Sequence, residues 1–97
     1  MRTKAGTAAG FLKLMANPRR LLILCELLQG ERSVGDLARA VRLSQSALSQ
    51  HLAKLRRARL VETRREAQTI HYSLADPGVT KVIGALYELY CQPARGR

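Results

Sequence analysis

Residues 43–56 read LSQSALSQHLAKLR, and this stretch decides the fold. Ser44 is a typical N-cap residue, so a helix is predicted from about Gln45 to Ala58. Leucines at positions 48, 52 and 55 share one helix face, which is predicted to be buried. The opposite face is small and polar, with Ser46, Ser49, Gln50, Ala53 and Arg57 at helical intervals.

A shorter helix is predicted just before this one. Ser33 is expected to cap it, with Asp36 completing a capping box, and it ends near Val41. Leu37 and Val41 are predicted to face inward. Only Arg42-Leu43 separates this helix from the Ser44 cap, and two capped helices with so short a connection are typical of a helix-turn-helix unit.

Two further helices are predicted upstream of this pair. The first runs from about Thr7 to Ala16. The second has Asn17 as its N-cap and Pro18 at its first position, and it ends before Gly30. Its core-facing side is predicted to carry Leu21, Leu24, Cys25 and Leu28.

Downstream of the pair, the hydrophobic pattern changes from helical to alternating. Residues 60–64 and 69–74 are predicted to form a β-hairpin connected by residues 65–68. Asp76-Pro77 then begins a final helix that ends at Pro93. Its apolar stripe is Val79, Val82, Ile83, Leu86 and Tyr90.

The predicted fold is mainly α with a β-hairpin, in the order α-α-α-α-β-β-α, which is that of a winged helix-turn-helix. The 97 residues are expected to form one domain, 1–97, with about 1–6 and 94–97 flexible. The longest apolar run has five residues, too few for a membrane span or a signal peptide, so a cytoplasmic protein is expected.

The net charge of +10 indicates a polyanionic partner. Nine basic and two acidic residues lie between Arg32 and Arg65, so this third of the chain carries +7 of the total. The aromatic content of 4% offers little for a membrane-binding helix, and double-stranded DNA is therefore preferred over a membrane.

The outward face of the helix at 45–58 is the predicted DNA-reading surface. Serine and glutamine near its start are able to bond base edges, and arginines near its end suit phosphates. His51 is expected either to bond a phosphate or to pack near the turn. The predicted DNA-binding residues are Ser44, Gln45, Ser46, Ser49, Gln50, His51, Lys54, Arg56, Arg57, Arg64, Arg65 and Gln68, with the last three at or near the hairpin tip.

Residues 43–56, Leu60-Val61 and the stretch QTIHYSL at 68–74 resemble the ArsR family of dimeric repressors. The resemblance spans about Phe11 to Cys91. It implies a homodimer built largely from the first and last helices, whose two recognition helices enter successive major grooves of an inverted-repeat operator.

The same resemblance bears on what the protein senses. Metal-sensing relatives carry cysteines just ahead of Asp36-Leu37, where this chain has Ser33-Val34-Gly35, and the final helix has no histidine. No metal and no cofactor are therefore expected. The segments LILCELL at 22–28 and LYELYC at 86–91 instead resemble the BigR, SqrR and HlyU branch of the family.

That branch implies a dithiol sensor of reactive sulfur species or oxidants, in which a disulfide or polysulfide bridge between Cys25 and Cys91 releases DNA. From the residues alone, Cys25 is also explained as a small buried hydrophobic residue. A DNA-binding regulator without thiol sensing, either a derepressor or a metal-responsive one, therefore stays open as the alternative.

Two other classes of function fit the sequence less well. A dithiol oxidoreductase lacks support, because the chain has no C-x-x-C motif and no Ser-His-Asp or paired-carboxylate arrangement. Non-specific RNA binding fits the charge, but the sequence offers no aromatic platform for stacking bases. The protein is therefore not expected to be an enzyme.

Overall fold

The computed structural model describes residues 4–75 and 77–91, and within them it has five helices and three strands. In chain order these are α1 (Ala5–Met15), α2 (Pro18–Leu28), β1 (Arg32–Ser33), α3 (Val34–Val41), α4 (Gln45–Arg57), β2 (Val61–Glu66), β3 (Thr69–Leu74) and α5 (Pro77–Leu86), followed by a π-helical segment (Tyr87–Cys91). The predicted order of four helices, a hairpin and a last helix is confirmed.

Some predictions at the chain ends differ or fall elsewhere. Helix α1 begins at Ala5, two residues before the predicted start, so Ala5 and Gly6 belong to a helix rather than to a flexible end. The predicted flexible tail at 94–97, the Asp76 cap and the Pro93 terminator lie outside the described residues.

Helix α2 begins as its sequence predicts, since the Asn17 side chain accepts hydrogen bonds from the amides of Arg19 and Arg20. Its inward face, however, is rotated from the predicted one. Ile23, Leu24 and Leu27 are buried. Leu24 was predicted to be so, but the other predicted core positions, Leu21, Cys25 and Leu28, are only half-buried. Apolar residues occupy nearly every side of this helix, so periodicity could not select the face that packs on α3 and α5.

The connection between α3 and α4 is set by caps at both ends. The Ser33 hydroxyl accepts from the Asp36 amide, while the Asp36 carboxylate is engaged by Arg39, so half of the predicted capping box is present. Arg42 ends α3 in the left-handed conformation, with φ of 58°. Ser44 then caps α4 by accepting from the Ala47 amide.

The wing is a three-stranded antiparallel sheet in the order β1-β3-β2. Its third strand, β1, was not predicted, because two residues carry no readable alternation. The hairpin loop is Ala67-Gln68, shorter than the predicted 65–68, since Arg65 and Glu66 pair with Ile70 and Thr69. Arg64 and Arg65 therefore lie within β2, near the hairpin tip, and Gln68 lies in the loop itself.

The core fills the space between α2, α3, α4, α5 and the base of the sheet. Leu37 and Val41 are buried in it as predicted. The buried hydrophobic residues are Met15, Ile23, Leu24, Leu27, Leu37, Ala38, Val41, Leu48, Leu52, Leu55, Leu60, Val61, Val79 and Ile83.

The end of the last helix departs from its predicted pattern. Val79 and Ile83 are buried, but Tyr90, predicted on the same stripe, is 80% exposed. The chain changes from α to π geometry at Tyr87, and the wider turn rotates later residues away from the α-helical stripe. None of the helices in the described part of the chain has the length and apolar character to span a membrane.

Candidate nucleic-acid interface

Helix α4 separates a buried face from a fully solvent-facing one. Leu48, Leu52 and Leu55 are at most 1% exposed and anchor the helix in the core. The opposite face points to solvent, because Ser46, Ser49, Gln50, Ala53 and Arg57 are all exposed. No large apolar side chain interrupts this face, so it is free to approach another surface closely.

The N-terminal turn of α4 adds hydrogen-bond donors to this face. The Ala47 amide donates a hydrogen bond of 3.1 Å to the Ser44 hydroxyl oxygen. The amides of Gln45 and Ser46 belong to the first helical turn, where no helical carbonyl is available to accept from them. With the positive end of the helix dipole, they favour an anion such as a phosphate.

The C-terminal part of α4 is basic and forms one wall of a groove. Lys54, Arg56 and Arg57 lie in the last turn, and all three are exposed. A groove of about 410 Å³ runs between the helix and the wing, lined by Ser49, Ala53, Arg56, Arg57 and Tyr72. Positive charge at the rim of this protein groove suits phosphates, and small side chains at its centre allow close contact with a nucleic acid.

Sequence reasoning did not select Tyr72, which lines this groove from the wing. The signal lay in the strand alternation: Tyr72 lies two residues before Leu74, whose partner across the hairpin is the buried Val61. Residues two apart on a strand share a face. Tyr72 is therefore on the side of the sheet that packs against α4.

His51 lies beside the exposed face and is half-buried. Burial lowers the pKa of its imidazole, and the positive charges of Arg20, Lys54 and Arg19 lower it further. The neutral ring has one nitrogen that donates and one that accepts, so His51 remains able to donate to a phosphate.

The two wing arginines have different surroundings. Arg64 donates to Glu31, with Nη2–Oε1 at 2.7 Å and Nε–Oε2 at 3.0 Å, and its Nη1 lies 3.5 Å from Oε1 of Glu66. The hydrogen bonding that Arg64 donates to Glu31 raises the pKa of Arg64, and the same bonding lowers the pKa of Glu31. Arg65 and Gln68 are exposed and form no ion pair or side-chain hydrogen bond with the residues that the structure describes.

The two cysteines lie on elements connected through packing. Cys25 is half-buried on α2, and α2 packs against α5. Cys91 is the last residue of the π-helical segment that follows α5. Among the described residues, no three His, Cys, Asp or Glu side chains are grouped to hold a metal ion.

Two consecutive capped helices, the second with an exposed polar face, and a basic hairpin beside it define a winged helix-turn-helix protein. A sequence model described as "Bacterial regulatory protein, arsR family" matches residues 17–63. The chain belongs to the ArsR family. It is a DNA-binding transcriptional regulator and not an enzyme.

Individual relatives cover almost the whole chain. It is 60% identical to nodulation protein NolR of Rhizobium meliloti over 86 residues, which are 89% of this chain and 70% of the relative. The structure of reduced HlyU from Vibrio cholerae is similar with a TM-score of 0.90 and 55% identity, covering 95% of this chain and 97% of the other. The structure of the transcriptional repressor BigR from Xylella fastidiosa is similar with a TM-score of 0.87 and 38% identity, covering 95% and 94%.

Proposed function

We propose that this regulator is a sequence-specific repressor that reads an inverted-repeat operator through the exposed face of α4. The observation that carries the proposal is the exposure of Ser46, Ser49 and Gln50 beside a basic rim. Serine and glutamine side chains recognise base edges in the major groove. The phosphate contacts of the proposal are Ser44, Gln45, His51, Lys54, Arg56, Arg57, Arg65 and Gln68.

The proposed repressor is a homodimer, because an inverted repeat presents the same half-site twice. Large apolar side chains are exposed on the first helix and in the segment after the last one: Leu12, Leu89 and Tyr90. Burying such side chains against a second copy is favourable and supplies area that a chain of this size lacks. The first helix and the segment after the last helix are therefore the proposed dimer contact. Residues 1–97 of each copy are proposed to act as one domain.

Relief of repression is proposed to occur by oxidation or persulfidation of Cys25 and Cys91. Forming a disulfide removes two protons and two electrons from the two thiols. Hydrogen disulfide, the simplest polysulfide, accepts them and leaves as two molecules of hydrogen sulfide. A bond between α2 and the end of the last helix constrains the elements proposed to set the spacing of the two α4 helices.

The alternative is a regulator of the same type without thiol sensing. Cys25 is half-buried and packed against the core, as a structural cysteine would be. A metal-responsive form needs about four ligands, and the described residues provide no group of three. A derepressor that competes with other DNA-binding proteins needs neither the thiols nor a metal.

The test uses a duplex that the wild-type protein selects from a random-sequence library, with binding followed by fluorescence anisotropy. Reduced protein is expected to bind it, and polysulfide treatment is expected to weaken binding in the wild type but not in Cys25→Ser or Cys91→Ser. If both serine variants lose affinity on treatment as the wild type does, thiol relief is wrong. Equilibrium dialysis with zinc tests the metal-responsive alternative. No zinc binding is expected, and stoichiometric binding would support that alternative.

A further inference from the structure

Arg64 and Arg65 are neighbours in sequence but lie on opposite faces of the wing. Side chains alternate along β2, so Arg65 shares a face with Thr63 and the buried Val61, and Arg64 lies on the other face. Thr63 pairs with Tyr72, the wing residue that lines the groove beside α4. Arg65 is thus on the side of α4, and Arg64 faces away from it.

The guanidinium of Arg64 is already occupied by a carboxylate. Two of its nitrogens donate to the two oxygens of Glu31, at 2.7 and 3.0 Å. This two-pronged arrangement is the one an arginine also uses for a phosphate. To bind a phosphate with the same two nitrogens on the α4 side of the wing, Arg64 has to give up both bonds to Glu31 and turn around the sheet, away from Glu66 as well.

Glu31 is held at the junction between the helices and the wing. It follows Gly30, whose φ of 138° is a conformation that favours glycine, and it precedes β1. Strand β1 pairs with the middle strand β3 at Tyr72 and His71. Arg64 pairs with His71 from the other side, so the Glu31–Arg64 contact crosses over the middle strand.

This crossing lies where the sheet narrows to two strands. Beyond His71, β3 continues to Thr69 with only β2 beside it. A two-stranded ribbon is by itself marginally stable in water. The Glu31–Arg64 contact links the base of this ribbon to the segment that leads through Ser33 into α3.

We propose that the Glu31–Arg64 pair positions the wing, and that Arg64 is not a phosphate contact. The pair fixes the angle at which the hairpin leaves the helices, and with it the place where Arg65 and Gln68 meet the DNA backbone. This inference rests on the proposed DNA-binding function and changes the role of one residue in the predicted DNA-binding set.

The first test is Glu31→Ala, measured by anisotropy on the selected duplex. Removing a carboxylate adds one positive charge to a protein of net charge +10, which by itself tightens DNA binding. A positioning role predicts the opposite, a loss of about two- to fivefold, the range that corresponds to an exposed ion pair. Glu62→Ala is the matched control, because it makes the same charge change and Glu62 lies on the same face of β2 as Arg64. The DNA affinity of this variant should equal or exceed that of the wild type.

The second test exchanges the two charges. Arg64→Glu alone should weaken binding, and the double variant Glu31→Arg with Arg64→Glu should recover most of the affinity because the pair is rebuilt in reverse. Because Glu31→Arg also adds two positive charges, the control is the double variant Glu62→Arg with Arg64→Glu, which restores the same net charge without rebuilding the pair. A phosphate contact at position 64 predicts equal binding by the two double variants. Salt titration adds an independent readout. Affinity falls as salt rises, and Arg65→Ala should make the plot of log affinity against log salt less steep by about one, whereas Arg64→Ala should leave its steepness unchanged.

The outcomes separate this inference from the proposed function. If the wild type selects no duplex and binds random DNA only weakly, the proposed function fails. If the wild type and Arg65→Ala behave as expected but Glu31→Ala binds equally or more tightly, the positioning role is overturned. A charge exchange that binds no better than the control Glu62→Arg with Arg64→Glu also overturns it, provided that circular dichroism shows the same helix content in all variants.

Discussion

Ser49 on α4 and Tyr72 on the middle strand of the wing line one groove, although 23 positions separate them in the sequence. The helix contributes small side chains and the wing contributes an aromatic ring, with arginines at the rim. A surface that approaches DNA therefore presents both elements at once. Base reading and backbone contact should be separable by substitution within this one surface.

Base reading is tested most directly at Gln50. Gln50→Ala should cost about 1–3 kcal/mol of binding free energy on the selected duplex, because an amide side chain forms paired hydrogen bonds with a base edge. Binding to a random duplex should be unchanged. Gln29→Ala, which removes an exposed glutamine at the end of α2, is the control and should leave both affinities unaltered. Equal losses of Gln50→Ala on both duplexes would contradict a reading role.

Backbone contact is tested at Arg57, on the rim of the same groove. Arg57→Ala should weaken binding to selected and random duplexes alike, and the salt slope should fall by about one because one fewer phosphate is neutralised. Lys81→Ala makes the same charge change on α5, away from the groove. A slope that falls equally in both variants would indicate that only net charge matters.

The sequence predicted α4 to within one residue because three independent signals agreed there: the Ser44 cap, the leucine spacing and the basic last turn. Other features depended on information that is not local. Strand β1 exists only because β3 pairs with it, and Arg64 is oriented by Glu31, which lies 33 residues earlier. The hairpin loop Ala67-Gln68 lacks the Asn-Gly type of signal that marks a two-residue turn, so its length was overestimated.

The same limit applies to Tyr90. Its predicted burial assumed that the α-helical period continues to the end of the chain, and the π-helical segment changes that period after Leu86. Nothing in the residue types of YELYC at 87–91 distinguishes the two geometries. The exposed face of α4 was predictable because it depends only on the spacing of residues within one helix. Which wing side chains lie beside α4 depends on the pairing register of β2 and β3.

The stability of the turn between α3 and α4 is testable at Arg42. An L-residue in the left-handed conformation costs about 1–2 kcal/mol, and glycine avoids this cost while adding about 0.4–1 kcal/mol of unfolded-state entropy. Arg42→Gly should therefore raise the free energy of unfolding by about 0.5–1 kcal/mol in urea denaturation. Arg42→Ala removes the same side chain without relieving the backbone, and it should show no such gain. Equal effects of the two variants would mean that the side chain, and not φ, decides stability.

The pH dependence of stability is testable at His51. Its pKa in the folded protein is lowered from the ordinary 6.5, chiefly by burial and then by the charges of Arg20, Lys54 and Arg19. The unfolded chain therefore binds a proton more readily in the window just below pH 6.5, and acidification through that window favours unfolding. Above about pH 7 the histidine is neutral in both states, and its contribution to stability is constant.

His51→Gln should remove this contribution, so its free energy of unfolding should fall less than that of the wild type between pH 7.5 and the acid side of the window. Lys54→Gln should act in the same direction more weakly, because it removes one of the charges that lower the His51 pKa and leaves burial, the larger cause, in place. Urea midpoints measured for the three proteins at each pH give the comparison. A wild type whose midpoint changes with pH no more than that of His51→Gln would show that His51 titrates alike in the folded and unfolded states, contrary to its half-buried position among cations.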